Sequence, residues 1–275
     1  MTRRFLFIGG DRRILYAMDR VSQKYPTDCI GLGGECPPPV GMYDRIVLPF
    51  PSTRDGEHIN APLSDAPLAA ELITQYAADN AVVFSGGSAR MIQEECERGE
   101  ITLCDYSLDE TLTQKNALLT AQAAAAILSQ STDGALCGSR TLITGYGRVA
   151  GHTAALLRAF GTRITIAARS PQARSLAELE GFETVAVDEM ESVLSGMDFV
   201  VNTVPAALFG AEMFSLMKRG AVFQELATLP AEPCRSLADK AGITYIHSAG
   251  LPGKASPKTA GELIGEYLLD HAEKP

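Results

Sequence analysis

The segment that most constrains the fold of this chain is TLITGYGRVAGHTAALL, Thr141 to Leu157. A β-branched apolar run precedes the spacing Gly145-x-Gly147-x-x-Ala150, and a helix-like apolar pattern follows it. In such a unit the first glycine permits a tight turn, the second lets phosphates approach the backbone, and the small third residue lets helix pack on strand. The pattern predicts a dinucleotide pyrophosphate at the helix N-terminus, where free N–H groups favour anions. The alternative is a tight strand–helix turn without a ligand.

The next predicted strand indicates which dinucleotide binds. It ends in Ala168-Arg169-Ser170. A site for NAD usually carries Asp or Glu at this point, to bind the ribose 2′-hydroxyl. An arginine instead forks onto a 2′-phosphate, and a serine can donate to it. These residues therefore favour NADP (NADPH) over NAD; the alternative is an exposed arginine at a strand end.

Two later strands of the same predicted sheet end in NTVP, from Asn202, and in ELA, from Glu225. The ligand crevice of a doubly wound sheet lies at the carboxyl ends of its strands, so these ends are predicted to face the nicotinamide ribose. The alternative is a pair of strand-ending turns. The predicted cofactor-binding residues are Gly145, Tyr146, Gly147, Arg148, Val149, Arg169, Ser170, Asn202, Thr203, Pro205, Glu225 and Ala227.

The glycine motif lies in the middle of 275 residues, and about 150 residues is the usual size of one domain. Apolar strands alternate with helical patterns on both sides of it, which predicts parallel sheets covered by helices. The predicted fold class is α/β, with two Rossmann-like doubly wound lobes, a connecting helix and a C-terminal helix. We predict an N-terminal, substrate-side lobe over 1–112, an NADP-binding lobe over 113–254 that includes the connecting helix 109–131, and a helix over 255–275 that packs back on the first lobe.

Composition excludes several classes of protein. The net charge is −9 and no basic, aromatic-interleaved surface is present, which argues against nucleic acid as a partner. No apolar run approaches the roughly 18 residues that span a bilayer, and the start MTRRFLFIGGD predicts a first strand rather than a secretory signal. We therefore predict a cytoplasmic protein without a membrane partner. The six cysteines and four histidines show no metal-ligand spacing, which predicts reduced thiols and no metal site.

Candidate substrate residues lie in two further stretches. Ser85-Gly86-Gly87-Ser88 follows the apolar run AVVF, and its N–H groups and hydroxyls suit a carboxylate; the alternative is a serine-capped helix. In the similar Gly9-Gly10-Asp11, helix capping is the favoured interpretation, because the aspartate would repel an anion. Lys258 and Thr259 lie in the first turn of the last predicted helix. A cation there opposes the helix dipole, which favours a ligand contact over a local stabilising role.

At this point the whole chain resembles one family, the A subunits of dipicolinate synthase. The matching stretches are FIGGDRR, VFSGGSA, NALLTAQ from Asn116 to Gln122, GYGRVAG, AARS, NTVP and GLPGKASPKTAGELI. The last of these and FSGGSA are the most specific. The chain departs from the family's pattern at Tyr146, where leucine is usual, and at Gln122 and Glu225, where the family carries an acidic residue and an aspartate. The departure at Gln122 weakens a general-base role for that position.

The resemblance implies an NADP-binding subunit that works with a flavoprotein-like B subunit of dipicolinate synthase, in the mother cell of a sporulating bacterium. The implied reaction oxidises dihydrodipicolinate or 4-hydroxytetrahydrodipicolinate to dipicolinate. A cyclic dicarboxylate needs donors for two carboxylates beside the nicotinamide, and a predicted cleft between the lobes would supply them. The substrate-binding candidates are Ser85, Gly86, Gly87, Ser88, Lys258 and Thr259, and the catalytic candidates are Asn116, Thr120, Gln122 and Lys258.

Several alternatives stay open. His247, at a predicted strand end, is as well explained by a structural role as by catalysis. The chain also fits an NAD(P) oxidoreductase similar to the D-2-hydroxyacid dehydrogenases or the adenosylhomocysteinases, although the Arg, Glu and His of the former cannot be assigned. A non-catalytic nucleotide-binding assembly subunit is the third hypothesis. The oligomeric state, including a homo-oligomer, is left open.

Overall fold

The computed structural model describes residues 3–34, 38–228 and 230–274. The chain divides into two compact units. The first unit comprises Met1–Lys115 with Ser256–Pro275, and the second comprises Asn116–Ala255. Each unit has its own parallel sheet and its own apolar core.

The first half of the chain supplies five strands and the long helix. Its elements are β1 (Phe5–Ile8), α1 (Arg12–Ser22), β2 (Thr27–Ile30), β3 (Tyr43–Val47), α2 (Leu72–Tyr76), β4 (Ala77–Ser85), α3 (Arg90–Arg98), β5 (Thr102–Asp105) and α4 (Glu110–Gln130). A 3₁₀ turn at Tyr106–Leu108 joins β5 to α4. The predicted long helix is confirmed, and Asp109 caps it because its Oδ1 accepts from the backbone N–H of Leu112 (2.7 Å).

The second half supplies six strands and the C-terminal helices. Its elements are β6 (Arg140–Thr144), α5 (Arg148–Ala159), β7 (Arg163–Ala167), α6 (Pro171–Leu179), β8 (Glu183–Val185), α7 (Glu191–Leu194), β9 (Phe199–Asn202), α8 (Ala211–Leu216), β10 (Val222–Glu225), α9 (Cys234–Ala241), β11 (Thr244–His247), α10 (Leu251–Ala255) and α11 (Pro257–His271).

The first unit has a five-stranded sheet in the order β2-β1-β3-β4-β5, with every pair parallel. In this doubly wound order, strands are added first on one side of β1 and then on the other, so the switch point lies between β1 and β3. Successive residues of β1 are buried on opposite faces, Phe5 and Phe7 against α1 and α11, and Leu6 and Ile8 in the core that contains Ile73. The run is therefore continuously apolar, as expected for a strand covered on both sides.

The second unit has a six-stranded parallel sheet in the order β11-β10-β9-β6-β7-β8. Numbered from the first strand of the unit, this is the dinucleotide-binding order 3-2-1-4-5-6. The order in which strands are added reverses between β6 and β9, which places the switch point there. Thr144 lies opposite Asn202 across that pair, so the two strands end together. The predicted α/β class, with two doubly wound lobes, a connecting helix and a C-terminal helix, is confirmed.

The C-terminal helix α11 lies against α1 in the first unit. Two glycines on α11 permit the close approach, because a Cβ atom on Gly261 would lie 2.7 Å from Cβ of Tyr16 and one on Gly265 would lie 2.8 Å from Cβ of Arg20. The buried face of α11 continues through Ile264, which joins the core around Phe5. Small residues four positions apart thus allow the two helices to pack backbone to backbone.

A buried arginine holds the end of the same helix. Arg45 on β3 is 1% exposed, and its Nε donates to the carbonyl oxygen of Ala272 (2.8 Å) while Nη2 donates to that of Lys274 (2.9 Å). Burial lowers the pKa of this guanidinium group. The last carbonyls of a helix have no hydrogen-bond partner within the helix and carry the negative end of its dipole. A cation there donates to these carbonyls and also balances the dipole.

The structure corrects three expectations from the sequence. The sequence over 67–79 has the apolar pattern of a helix, but the helix is limited to α2, because Ala77 pairs with Tyr43 and sheet pairing outweighs alanine's helix propensity. The helix α10 was not expected, since Pro252 and Gly253 disfavour one. Cys29 is disulfide-bonded rather than reduced. Spacing along a sequence does not reveal which thiols a fold brings within bonding distance.

Candidate nucleotide-binding site and substrate residues

The glycine turn of the second unit has an open face towards solvent. Gly145 has φ +80°, and a Cβ on it would lie 3.0 Å from both Thr203 Oγ1 and Val204 Cγ2. Gly147 is the N-cap of α5, and a Cβ there would meet nothing within 4 Å. Ala150 is fully buried against the sheet. The turn therefore needs glycine for its conformation at the first position and leaves room for a ligand at the second.

A cavity of about 210 Å³ lies beside this turn at the ends of β6 and β7. Its lining includes Gly145, Tyr146, Arg169 and Ser170, so the structure brings together four of the predicted cofactor-binding residues, with Val204 beside them. The apolar part of the lining is formed by alanines and by Val187 and Leu208. A partly apolar pocket next to a helix N-terminus suits the adenosine half of a dinucleotide.

Two arginines lie where β7 ends. Arg169 is exposed, and its guanidinium group makes no hydrogen bond or ion pair within the part of the chain that the structure describes. Ser170 caps α6 by accepting from the N–H of Ala173 (3.3 Å), and its hydroxyl donates to Gln172 Oε1 (2.7 Å). Arg174 was not among the predicted residues, and its Nη1 donates to the carbonyl oxygens of Ala168 (2.7 Å) and Arg169 (3.0 Å). The sequence indicates this second arginine only by its position, in the first turns of the helix that follows Arg169.

The carboxyl ends of β6, β9 and β10 are joined by a buried polar network. Thr144 Oγ1 donates to Asn202 Oδ1 (2.5 Å), and Asn202 Nδ2 donates to both carboxylate oxygens of Glu225 (2.9 Å each). Glu225 Oε1 also accepts from the N–H of Ala227 (2.9 Å). Burial raises the pKa of Glu225, while Asn202 and Ala227 oppose that rise.

This network uses the side chains that were predicted to face the ribose. Asn202 and Glu225 are 1% and 2% exposed, and Thr203 Oγ1 donates to the carbonyl oxygen of Thr144 (2.6 Å). Direct contact of these side chains with a cofactor stays a prediction. In the structure they fix the end of β9 against the glycine turn, and Pro205 lies exposed just beyond it.

The remaining predicted cofactor residues lie on or next to α5. Arg148 is its exposed first residue, and Val149 follows it half-buried. Tyr146 packs edge-on against Phe182, with ring centroids 6.2 Å apart. Burial raises the pKa of Tyr146 to about 12. The ring of Tyr146 thus adds apolar surface to the core of the second unit.

The predicted carboxylate site at residues 85–88 is occupied by a carboxylate of the protein itself. Asp105 Oδ1 accepts from the N–H of Gly87 (3.1 Å), and Oδ2 accepts from Ser88 Oγ (2.7 Å). Ser85 is fully buried and donates to the carbonyl oxygen of Gly87 (2.8 Å). Gly86 has no room for a side chain, because a Cβ would lie 2.5 Å from Cβ of Phe50. These hydrogen-bond donors are present as predicted, but in the structure they donate to Asp105.

The other candidates lie on helices. Asn116 and Thr120 share one face of α4, where Thr120 Oγ1 donates to the Asn116 carbonyl (3.0 Å); Gln122 is exposed and two residues further, so it faces another side. Lys258 and Thr259 are exposed on α11, and Lys258 Nζ lies 3.9 Å from Glu262 Oε1. His247 is exposed at the end of β11, opposite Glu225. Substrate binding and catalysis by these residues stay predictions.

Capping at Gly9-Gly10-Asp11 is confirmed. Asp11 is the N-cap of α1 and accepts from the N–H of Arg13 (3.0 Å). Among residues 3–34, 38–228 and 230–274, no group of three metal-ligating side chains occurs. No helix in those ranges is long and apolar enough to cross a membrane.

Comparison with known proteins agrees with this architecture in both units. Residues 4–107 match the N-terminal domain of the A subunit of dipicolinate synthase. The dipicolinate synthase A subunit of Bacillus subtilis (strain 168) is 25% identical over 234 residues, covering 84% of this chain and 78% of that protein. The resemblance to the A subunits of dipicolinate synthase is confirmed. The crystal structure of the A subunit from Bacillus halodurans shares the fold, with a TM-score of 0.88 at 23% identity, covering 99% of this chain and 98% of that one.

Two further comparisons extend beyond dipicolinate synthase. Residues 110–227 match the NAD binding domain of D-isomer specific 2-hydroxyacid dehydrogenases. An L-alanine dehydrogenase has a similar fold, with a TM-score of 0.61 at 16% identity, covering 98% of this chain and 90% of that one. A dehydrogenase-type domain of this kind indicates an oxidoreductase that binds NAD or NADP.

Proposed function

We propose that this chain is the A subunit of a dipicolinate synthase. It would oxidise dihydrodipicolinate, or 4-hydroxytetrahydrodipicolinate after loss of water, to dipicolinate with NADP. It would act together with the flavoprotein-like B subunit in the mother-cell cytoplasm of a sporulating bacterium. The observation that carries the proposal is the match of the N-terminal unit to the dipicolinate synthase domain, together with a dehydrogenase-type domain in the same chain.

The residues of the second unit fit NADP. The open face at Gly147 and the helix start at Arg148 suit a pyrophosphate, and the adjoining cavity suits the adenosine. Arg169 supports NADP rather than NAD, because an unpaired guanidinium group stands where an acidic residue would otherwise bind a 2′-hydroxyl. When bound, NADP would accept the hydride that leaves the ring, and loss of a proton completes the aromatic product.

The roles proposed for the substrate-binding and catalytic candidates depend on which side chains are exposed and free of other hydrogen bonds. Lys258 and Thr259 are exposed, so they can approach a carboxylate with little rearrangement, since the Lys258–Glu262 pair is loose. Ser85, Gly86, Gly87 and Ser88 would serve a substrate only if Asp105 gave up its donors. Asn116 and Thr120 are half-buried on α4 and remain candidates for orienting the ring, whereas the amide of Gln122 is not a base.

Formation of NADPH tests the proposal directly. The purified chain would be mixed with freshly prepared dihydrodipicolinate and NADP, with and without the B subunit, and absorbance at 340 nm would be followed. An increase in either mixture, with dipicolinate as product, is the expected result. No nucleotide reduction in either mixture would exclude the proposed activity and would favour a non-catalytic, nucleotide-binding role in an assembly.

The same assay distinguishes the enzyme alternative. The match of residues 110–227 to 2-hydroxyacid dehydrogenases favours that alternative as the second candidate. Loss of NADH or NADPH absorbance on addition of 2-oxo acids, without turnover of dihydrodipicolinate, would support it. The two candidates thus predict opposite directions of hydride transfer on different substrates.

A further inference from the structure

The turn between β7 and α6 carries Arg169, the residue on which the choice of NADP depends. Within the part of the chain that the structure describes, neither the backbone N–H nor the guanidinium group of Arg169 makes a hydrogen bond. In the same ranges, the only hydrogen bond to this residue reaches its carbonyl oxygen, and the donor is Nη1 of Arg174 (3.0 Å). The backbone of Arg169 is therefore held by a single side chain.

Arg174 holds this turn from within the helix that follows it. It is half-buried in the first turns of α6, and the same Nη1 also donates to the carbonyl oxygen of Ala168 (2.7 Å). Because Nη1 carries two hydrogens, it can bind both carbonyls at once. The two carbonyls belong to the peptide groups on either side of the Arg169 Cα atom, so Arg174 restrains both backbone dihedral angles of Arg169.

The other hydrogen bonds of this turn act on the residues before and after Arg169. The N–H of Ala168 donates to the carbonyl oxygen of Val185 at the end of β8 (3.2 Å), and Ser170 caps α6 by accepting from the N–H of Ala173 (3.3 Å). Neither bond uses the two carbonyl groups that flank the Arg169 Cα atom. They anchor the ends of the turn, whereas Arg174 fixes its middle.

The position of Arg174 relative to the cavity separates its role from that of Arg169. Arg169 and Ser170 line the cavity beside the glycine turn, and Arg174 does not. One nitrogen of its guanidinium group is already used by the two backbone carbonyls. This arrangement is expected of a side chain that shapes the binding turn rather than one that contacts the ligand.

We propose that Arg174 is a positioning residue, which sets the preference for NADP by fixing the backbone of Arg169. This inference rests on the proposed function, in which Arg169 binds the 2′-phosphate. A long exposed side chain loses conformational entropy when it binds a ligand, and a mobile backbone would add to that loss. Arg174 orders the backbone in advance, so less free energy is lost when the guanidinium group of Arg169 binds the phosphate.

This role affects the two nicotinamide nucleotides differently. NADH has no 2′-phosphate, so an ordered Arg169 does not strengthen its binding. Its pyrophosphate and adenosine would bind at the glycine turn and in the adjoining cavity, which Arg174 does not line. Loss of Arg174 should therefore weaken NADPH selectively, whereas a general loss of folded protein would weaken both nucleotides equally.

A double-mutant cycle in the intact chain tests this. The variants are Arg169→Met, Arg174→Met and the double variant, because methionine is long and unbranched but carries neither the charge nor the donors. The matched control is Arg158→Met, since Nη1 of Arg158 also donates to a backbone carbonyl, that of Glu180 at the opposite end of α6. Fluorescence titration gives the Kd of NADPH and of NADH for each variant, and NADH binding verifies that the unit is folded.

We expect Arg174→Met to raise the Kd of NADPH roughly tenfold and that of NADH by no more than about twofold, because hydrogen bonds from a charged donor are lost. Since Arg174 acts through Arg169, the double variant should bind NADPH within about twofold of Arg169→Met alone. Arg158→Met should leave the ratio of the two dissociation constants unchanged.

Three results would overturn the positioning role while Arg169→Met still weakens NADPH selectively, and they would leave the proposed function intact. One is the absence of any effect of Arg174→Met, and another is equal weakening of both nucleotides by it. The third is additive losses in the double variant, which would mean that Arg174 acts on the phosphate independently of Arg169. If Arg169→Met itself leaves the ratio unchanged, the assignment of NADP in the proposed function fails together with the role of Arg174.

Discussion

Asn202 Nδ2 lies 2.9 Å from each carboxylate oxygen of Glu225, and both side chains are almost completely buried. They sit at paired positions of β9 and β10, beside the glycine turn. A carboxylate in such a place costs free energy when it is ionised, because only neutral donors compensate it. Burial accordingly raises the pKa of Glu225.

This relationship predicts a specific pH dependence of stability. A pKa that is higher in the folded state means that Glu225 stabilises the fold most below its unfolded pKa, and that the contribution is lost as pH rises through the folded value. Glu225→Gln has no charge to bury. Its free energy of unfolding, relative to wild type, should therefore be higher at pH about 8 than at pH about 4. Urea denaturation at both pH values measures this.

The control for that experiment is Glu212→Gln, because Glu212 is exposed on α8. Its unfolding free energy relative to wild type should change much less between the two pH values. A difference between Glu225→Gln and wild type that is the same at both pH values would contradict the buried-charge explanation.

Arg169 should distinguish the two nicotinamide cofactors. It is exposed and without a protein partner in the described residues, so the change Arg169→Asp replaces a cation that can fork onto a 2′-phosphate by a repelling anion. We expect NADPH affinity to fall by roughly a hundredfold and NADH affinity by a few-fold at most. Titration of nucleotide fluorescence gives both values.

Arg163→Asp is the matched control for this change, because Arg163 starts the same strand, β7, at its opposite end. It makes the same change in net charge about one strand length from the predicted phosphate. Equal loss of NADPH and NADH binding in Arg169→Asp would show that Arg169 does not contact the 2′-phosphate.

Asp105 joins two turns of the first unit through hydrogen bonds. It accepts from Gly87 and Ser88 after β4, and from the N–H (2.8 Å) and the hydroxyl (2.6 Å) of Ser107. Burial opposes its ionisation, but these donors together hold its pKa below the usual value. Its stabilising contribution is thus present at neutral pH and is lost as pH falls through the folded pKa.

Asp105→Asn should therefore lower the free energy of unfolding by about 1 kcal/mol at neutral pH, since the amide can accept at only one of its two terminal atoms. The difference from wild type should shrink in acid. Asp79→Asn, at an exposed aspartate near the start of β4, serves as the control in the same urea titrations. A larger effect of Asp79→Asn than of Asp105→Asn would contradict the assignment.

The local patterns of the sequence predict much of this fold. The glycine motif, the apolar strands and the long helix up to Gln130 are all decided by neighbours within a few residues, and the structure has them where the pattern indicates. Gly145 needs its positive φ whatever packs around it. The position of Arg169 at the end of a strand can be predicted because the apolar pattern of β7 before it is unambiguous.

The parts that could not be predicted depend on contacts between distant residues. Nothing within a few residues of Ser88 reveals that Asp105, 17 positions later, takes its hydroxyl. The segment that leads to Asn60 has no regular pattern, yet it packs against Gly9, where a Cβ would lie 3.0 Å from the carbonyl oxygen of Asn60. Ala77 belongs to a helix by propensity and to β4 by pairing. In each case tertiary structure decides.

The packing of α11 on α1 gives opposite predictions for two helical glycines. A Cβ on Gly261 would come 2.7 Å from Cβ of Tyr16 and closer still to the carbonyl oxygen of Arg13, whereas one on Gly151 in α5 would meet nothing within 4 Å. Alanine is favoured over glycine by about 1 kcal/mol inside a helix when space allows. Gly151→Ala should therefore raise the free energy of unfolding by up to about 1 kcal/mol.

Gly261→Ala should lower the free energy of unfolding by about 2 kcal/mol, because α11 must move away from α1 and the contacts of Ile264 with the core are weakened. The midpoint of urea denaturation, followed by circular dichroism, measures both variants under the same conditions, and each serves as the control for the other. If both glycines respond to alanine with the same sign, close helix packing is not what requires glycine at position 261.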